Sequence, residues 1–120
     1  MRVQDSDLRS LRAELQRRDA YAHALGQAVI EHELARARIL SAPGRDLLLR
    51  IGAAAHEFDG VKDRHMAAVA RSMAAQRAMG EAALRRLGLD PGRRELTIDL
   101  STGDVLELLA GAWAPVAEAA

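Results

Sequence analysis

The sequence predicts a mainly α fold: a long antiparallel, coiled-coil-like helical hairpin followed by a short C-terminal β-hairpin or short helix. Three observations predict it. Apolar residues recur at alternating three- and four-residue steps over two long stretches, the spacing that keeps one face of a helix apolar. A Pro43-Gly44 break separates those stretches. After Pro91 the period changes to two, as in a half-buried strand.

The first stretch runs from Asp5 to Leu40, with Leu8, Leu11, Leu15, Ala22, Leu25, Val29, His32 and Ile39 on its stripe and Arg18 and Arg36 at two seam positions. Asp5 and Ser6 suit the N-cap, and Asp7 puts negative charge where the helix dipole favours it. Ser41-Ala42-Pro43-Gly44-Arg45 then breaks the chain. The second stretch runs from Asp46 to Leu87. Its stripe is Leu47 or Leu48, Ile51, Ala55, Phe58, Val61, His65, Val69, Ser72, Gln76, Met79, Ala83 and Leu87. Arg85 and Arg86 in the last turn, Gly88 at the left-handed position, Leu89 folding back and Pro91 beyond make a strong stop. Asp59-Gly60 is the one point where this helix would bend or break, although a glycine costs only about 1 kcal/mol inside a helix.

Two long helices joined by a short turn lie antiparallel. Folding the chain about Gly44 opposes residues whose numbers add to about 88. Val29 and Ile30 then meet Phe58, Leu15 meets Met73, Leu8 meets Met79, and Leu34 meets Ala54 and Ala55. The predicted organisation is 1–90 hairpin with its turn near 41–45, 91–113 small β-hairpin or short helix, and 114–120 flexible tail. In the second part Glu95-Leu96-Thr97-Ile98-Asp99-Leu100 alternates, Ser101-Thr102-Gly103-Asp104 is a turn, and Val105 to Leu109 is either the returning strand or a helix capped by Asp104 and Glu107.

Composition narrows the function. Of 120 residues 25 are alanine and three aromatic, and 16 arginines stand against one lysine. Alanine buries little area but is the best helix former and lets helices approach closely. Contact area must therefore come from length. Alanines surround the second helix on more than one face, from Ala53-Ala54-Ala55 to Ala82-Ala83. A hairpin buries one stripe per helix, so the remaining faces point to other chains. The expected partner is a second copy or a larger protein assembly. The hairpin or oligomer interface is assigned to Leu8, Leu11, Leu15, Leu25, Val29, Phe58, Val69 and Met73. No apolar run approaches the ~20 residues of a membrane span, and Met1 to Leu11 lacks a signal region, so the expectation is a cytoplasmic or particle-incorporated protein. Absence of cysteine excludes disulfides, thiolate metal sites and cysteine nucleophiles.

Two constellations compete with a purely structural role. Net charge is zero, but six arginines (Arg71, Arg77, Arg85, Arg86, Arg93, Arg94) face only Glu81 and Asp90 between residues 71 and 94. Arg2, Arg9, Arg12, Arg17 and Arg18 add to this basic open end, while residues 95–120 carry five acids and no base. The six are candidate contacts for phosphate or an acidic partner. Nucleic acid is the weaker reading, because aromatics and recognised binding motifs are lacking. Four histidines (23, 32, 56, 65) form two cross-arm pairs on the same fold-back. His32 and His56, with Glu33 and Glu57 beside them, are metal candidates of a bundle type. The Glu-x-x-His spacing of di-iron bundles is missing, so packing at the seam is favoured over metal. Paired imidazoles would also repel when protonated and make the joint pH-dependent. No P-loop, Gly-x-Ser-x-Gly or His-Glu-x-x-His occurs, and Ser72 has no histidine within reach. The expectation is a non-enzyme without cofactor.

The hairpin layout, the Gly88-Leu89-Asp90-Pro91 stop and the run Leu96-Thr97-Ile98-Asp99-Leu100-Ser101-Thr102-Gly103-Asp104-Val105 resemble small bacteriophage or prophage proteins. In these a coiled hairpin ends in a short strand-turn-strand. The match covers residues 87–106. The layout is also similar to the oligomerising core of phage small terminase subunits, where hairpins form a ring and terminal strands close a barrel. This chain departs from that family in having no N-terminal helix-turn-helix. The resemblance implies an assembly or adaptor protein of a phage-like particle. A packaging protein that handles nucleic acid through the arginine-rich end is the alternative, and a His/Glu metal-binding bundle the second alternative.

Overall fold

A computed structural model describes residues 1–118. Helix α1 spans Asp5–Ser41 and α2 spans Leu47–Arg86. The two pack against each other as a hairpin. Strands β1 (Leu96–Ile98), β2 (Val105–Leu109) and β3 (Ala112–Pro115) form one antiparallel sheet in that order. No helix among the described residues is long and apolar enough to cross a membrane. The chain forms two compact units, residues 1–16 with 72–120, and residues 17–71. They cut across the sequential division expected at residue 90.

Both helix stops follow local chemistry. Leu89 N–H donates to Leu84 C=O (3.1 Å) and Gly88 N–H to Arg85 C=O (2.9 Å), with Gly88 at φ 79°. That is a Schellman motif, and it satisfies the last carbonyls of α2. Leu89 is buried, completing the hydrophobic closure. At the turn, Arg50 holds Asp46 (3.1 Å) and the Ala42 carbonyl (2.9 Å). Gly60 causes no break, and α2 runs through it. The cost of one helical glycine is small beside the packing of the surrounding turns.

In the unit that holds the sheet, Val3, Leu8, Ala83, Leu84, Leu89, Val105 and Val116 form the core, with Val105 fully buried. Met1 to Val3 join the sheet. Val3 N–H donates to Gly103 C=O (3.0 Å), Val105 N–H to Met1 C=O (2.8 Å), and Arg2 bridges Asp104. Residues 105–109 are a strand, not a helix. The expected loose tail starts inside β3, and Val116 beyond it is buried while its N–H donates to Val105 C=O (3.0 Å). Ala119 and Ala120 lie outside the described residues. The third strand exists because Ala110 (φ 51°) and Gly111 (φ 80°) make a two-residue loop with both φ positive. This loop twist matches the flanking strands, so β2 and β3 pair despite the strain of an alanine in the left-handed region.

The β1–β2 connection is also built from local acceptors. Asp99 accepts from Ser101 N–H (3.0 Å) and Ser101 Oγ (2.6 Å), and Gly103 takes φ 85°. Three outward carbonyls are capped by arginines: Arg12 donates to Leu100 (2.7 Å) and Ser101 (2.8 Å), and Arg2 to Thr102 (2.9 Å).

The inner stripe of α1 differs from the expected one at three places. Ala22, Val29 and Arg36 are exposed, while Tyr21, Ala28 and Ala35 are half-buried. On α2 the half-buried residue is Ala54 and Ala55 is exposed. In each case the inward residue is the immediate neighbour of the expected one, a rotation of 100°.

Candidate interaction surfaces

Of the residues assigned to an interface, Leu8 and Leu11 are buried, and Leu15, Leu25, Phe58 and Val69 are half-buried. Val29 (41%) and Met73 (52%) are exposed and belong to no inner seam. The residue that faces α1 beside Met73 is Ser72, whose Oγ donates to Glu14 Oε1 (2.7 Å) with both residues buried. Glu14 was not among the expected inner positions. The signal for it was present, since position 14 lies on the flank between Leu11 and Leu15, but a carboxylate on an apolar stripe reads as a surface residue. The pair is a buried, internally satisfied hydrogen bond between the two helices. Close by, a side chain at Gly80 would sit 4.0 Å from Leu11 Cδ2, an ordinary van der Waals contact.

The histidine pairs do not form. His32 stacks on Phe58, ring centroids 4.3 Å apart and 14° between planes. His56 and His23 are exposed, while His65 is half-buried. Each expected pair thus has one inward and one outward member. His56 precedes Phe58 by two residues, about 200° around the helix, and so points away from the seam. Fold-back arithmetic gives height along the hairpin and not direction around it. Among the described residues no group of three or more His, Asp or Glu side chains is placed to hold a metal ion, and Glu33 and Glu57 are both exposed. An open groove of about 220 Å³ does run along this seam. It is lined by Ala28, Glu31, His32 and Ala35 of α1 and Ala54, Glu57, Phe58 and Val61 of α2.

The six candidate phosphate contacts divide. Arg86 grips Asp7 through both nitrogens (Nε to Oδ2, 3.0 Å). Arg94 grips Glu107 in the same way (2.7 and 2.8 Å). Arg93 lies 3.5 Å from Asp90 and Arg85 3.8 Å from Glu81. Arg71 and Arg77 are exposed on α2. Two forked ion pairs therefore use Arg86 and Arg94 to hold the fold, which weakens the case for a phosphate-binding cluster.

The Arg94–Glu107 pair and the turn at Asp99 carry a pH signature. The Arg94 guanidinium hydrogen-bonded to Glu107 holds its carboxyl below the usual carboxylate range, against a smaller opposing effect of burial. The Ser101 hydroxyl and N–H do the same for Asp99. A lowered folded-state value means that stability is gained above the unfolded-state value and is lost as pH falls through the folded-state one. Acid should therefore loosen the sheet first below about pH 4. Glu107→Gln is expected to flatten part of the acid limb of a urea-midpoint-versus-pH curve while lowering its neutral plateau. An unchanged acid limb would show that Arg94–Glu107 contributes nothing to it.

Apolar surface is concentrated elsewhere. One face of the sheet, by the alternation of the paired strands, carries Thr97, Leu106, Leu108, Trp113 and Pro115, with Trp113 51% exposed. In the unit of residues 17–71, Val29, Ile30, Leu34, Leu40, Leu48, Leu49 and Met66 are all exposed, Leu48 at 83%. No protein-family model matches the chain, and no curated protein or solved structure matches it.

Proposed function

We propose that this is a non-enzymatic assembly or adaptor protein that associates with copies of itself through its helical hairpin. One observation carries the reading. Among the described residues ten large apolar side chains are exposed, seven of them between residues 17 and 71. Such surface on a hairpin is normally covered by further helices. The resemblance of residues 87–106 to phage proteins supplies a context, a phage-like particle in which such subunits repeat.

Light scattering on the purified chain tests this directly. A mass of at least twice 13.0 kDa is expected; a monomer at about 100 μM, well above the Kd of an ordinary specific interface, would overturn it. The nucleic-acid alternative has less support, because four of its six arginines are engaged by acids within the chain.

A further inference from the structure

We infer that one flank of the hairpin between residues 17 and 71 is the contact surface and that its occupant is a second copy of this chain, an inference that rests on the self-association just proposed. The groove lined by Glu31 and Glu57 marks one side of the seam. At 100° per residue, a second stripe runs along the opposite flank of each helix. On α1 it is Ala22, Gly26, Val29, Glu33, Arg36 and Leu40, and on α2 it is Leu48, Gly52, Ala55, Asp59, Lys62 and Met66. Both have the alternating four- and three-residue steps of a coiled-coil seam. Because the helices are antiparallel and the groove defines one side, both stripes open on the other.

Four features of that flank fit a second copy. Its large apolar side chains are exposed: Val29 41%, Leu40 50%, Leu48 83% and Met66 52%. Together these four present roughly 400 Å², half of what one partner gives to a standard interface, and the small residues and charged stems between them supply more. Gly26 and Gly52 are the second feature. A side chain at either would meet nothing within 4 Å, so nothing inside the chain requires glycine there, although glycine weakens a helix. Close approach of another backbone would require it. Third, the charged members balance, with Glu33 and Asp59 against Arg36 and Lys62, so the flank does not repel its own copy. Fourth, a two-fold contact uses the same patch on both chains, and pairing the flanks makes a four-helix bundle. Ile30 and Leu34 lie on the far face of α1 and take no part in it.

The test is the solution mass of full-length variants. Leu48→Glu changes a side chain that packs against almost nothing in its own chain, so folding is not at risk; Val29→Glu/Met66→Glu is the second variant. Both are expected to lower the mass by at least half relative to the wild type, with unchanged helicity by circular dichroism. Glu57→Lys, on the groove side, and Ile30→Glu, on the far face, are expected to leave it unchanged. An oligomer that survives Leu48→Glu and Val29→Glu/Met66→Glu, or that Ile30→Glu alone dissolves, would overturn this surface while leaving self-association standing. A monomeric wild type would overturn both.

Discussion

Gly103→Ala is expected to destabilise the protein by about 3 kcal/mol, read as a lower urea midpoint and an earlier loss of the sheet signal. Two costs combine. Gly103 sits at φ 85°, where a residue with a Cβ pays about 1–2 kcal/mol. The new Cβ would also lie 3.0 Å from Leu8 Cδ2 and 3.1 Å from Arg2 Nε. Leu8 is 3% exposed in the core and Arg2 is held by the Thr102 carbonyl, so neither yields freely. Forcing atoms into a filled site costs a further ~1–3 kcal/mol. The position is also where the N-terminal residues meet the sheet, since Gly103 C=O accepts from Val3 N–H. A loss below about 1 kcal/mol would mean that the turn relaxes and that the N-terminal bridge does not depend on it.

Leu8→Ala is expected to cost about 3 kcal/mol, the range for removing a fully buried leucine whose site collapses only in part. Out of a total stability of about 5–15 kcal/mol this is a large share. The two changes should not add. Removing the Leu8 methyls makes room for the Cβ at position 103, so Leu8→Ala/Gly103→Ala is expected to fall about 1 kcal/mol short of the sum. The φ strain and the Arg2 contact remain, so the double variant should still be less stable than Leu8→Ala alone. Strict additivity would show that the close approach of Leu8 to Gly103 has no energetic weight.

Much of the helical architecture was legible because its signals are local. The α2 stop needs only Arg85, Arg86, Gly88 and Leu89 in order, and Arg85, Gly88 and Leu89 all appear in the Schellman hydrogen bonds. The Pro43-Gly44 break and the strand–turn run from Leu96 to Val105 were legible for the same reason. Direction around each helix was less so. A periodic pattern tolerates a one-residue shift when alanines flank it, which is why the pattern points to Ala22 and Ala55 where the seam takes Tyr21 and Ala54. The same tolerance made His32 and His56 look like partners, although α2 turns His56 outward and sets Phe58 against His32. The third strand was missed because its turn is Ala110-Gly111, and an alanine with positive φ gives no sequence signal.

The interaction surfaces show the same division. An alanine-rich helix with apolar residues on several faces already says that one partner helix is not enough. Which side stays open depends on the seam that the helices choose, and that choice is made by Phe58, His32 and the buried Glu14–Ser72 pair. Likewise the sequence shows six arginines against two acids over residues 71–94, but Arg86 and Arg94 find Asp7 and Glu107 outside that window.

By itself, then, the sequence determined two helices, their turn, their stops and a strand-forming end, because capping, helix period and turn chemistry act over a few residues. Only the tertiary structure decided the facing residues of the seam, the entry of Met1 to Val3 into the sheet and the engagement of the arginines. These rest on contacts between residues tens of positions apart, such as Val3 with Gly103 and Arg86 with Asp7. Their energies come from burial and ion pairing that no local pattern records.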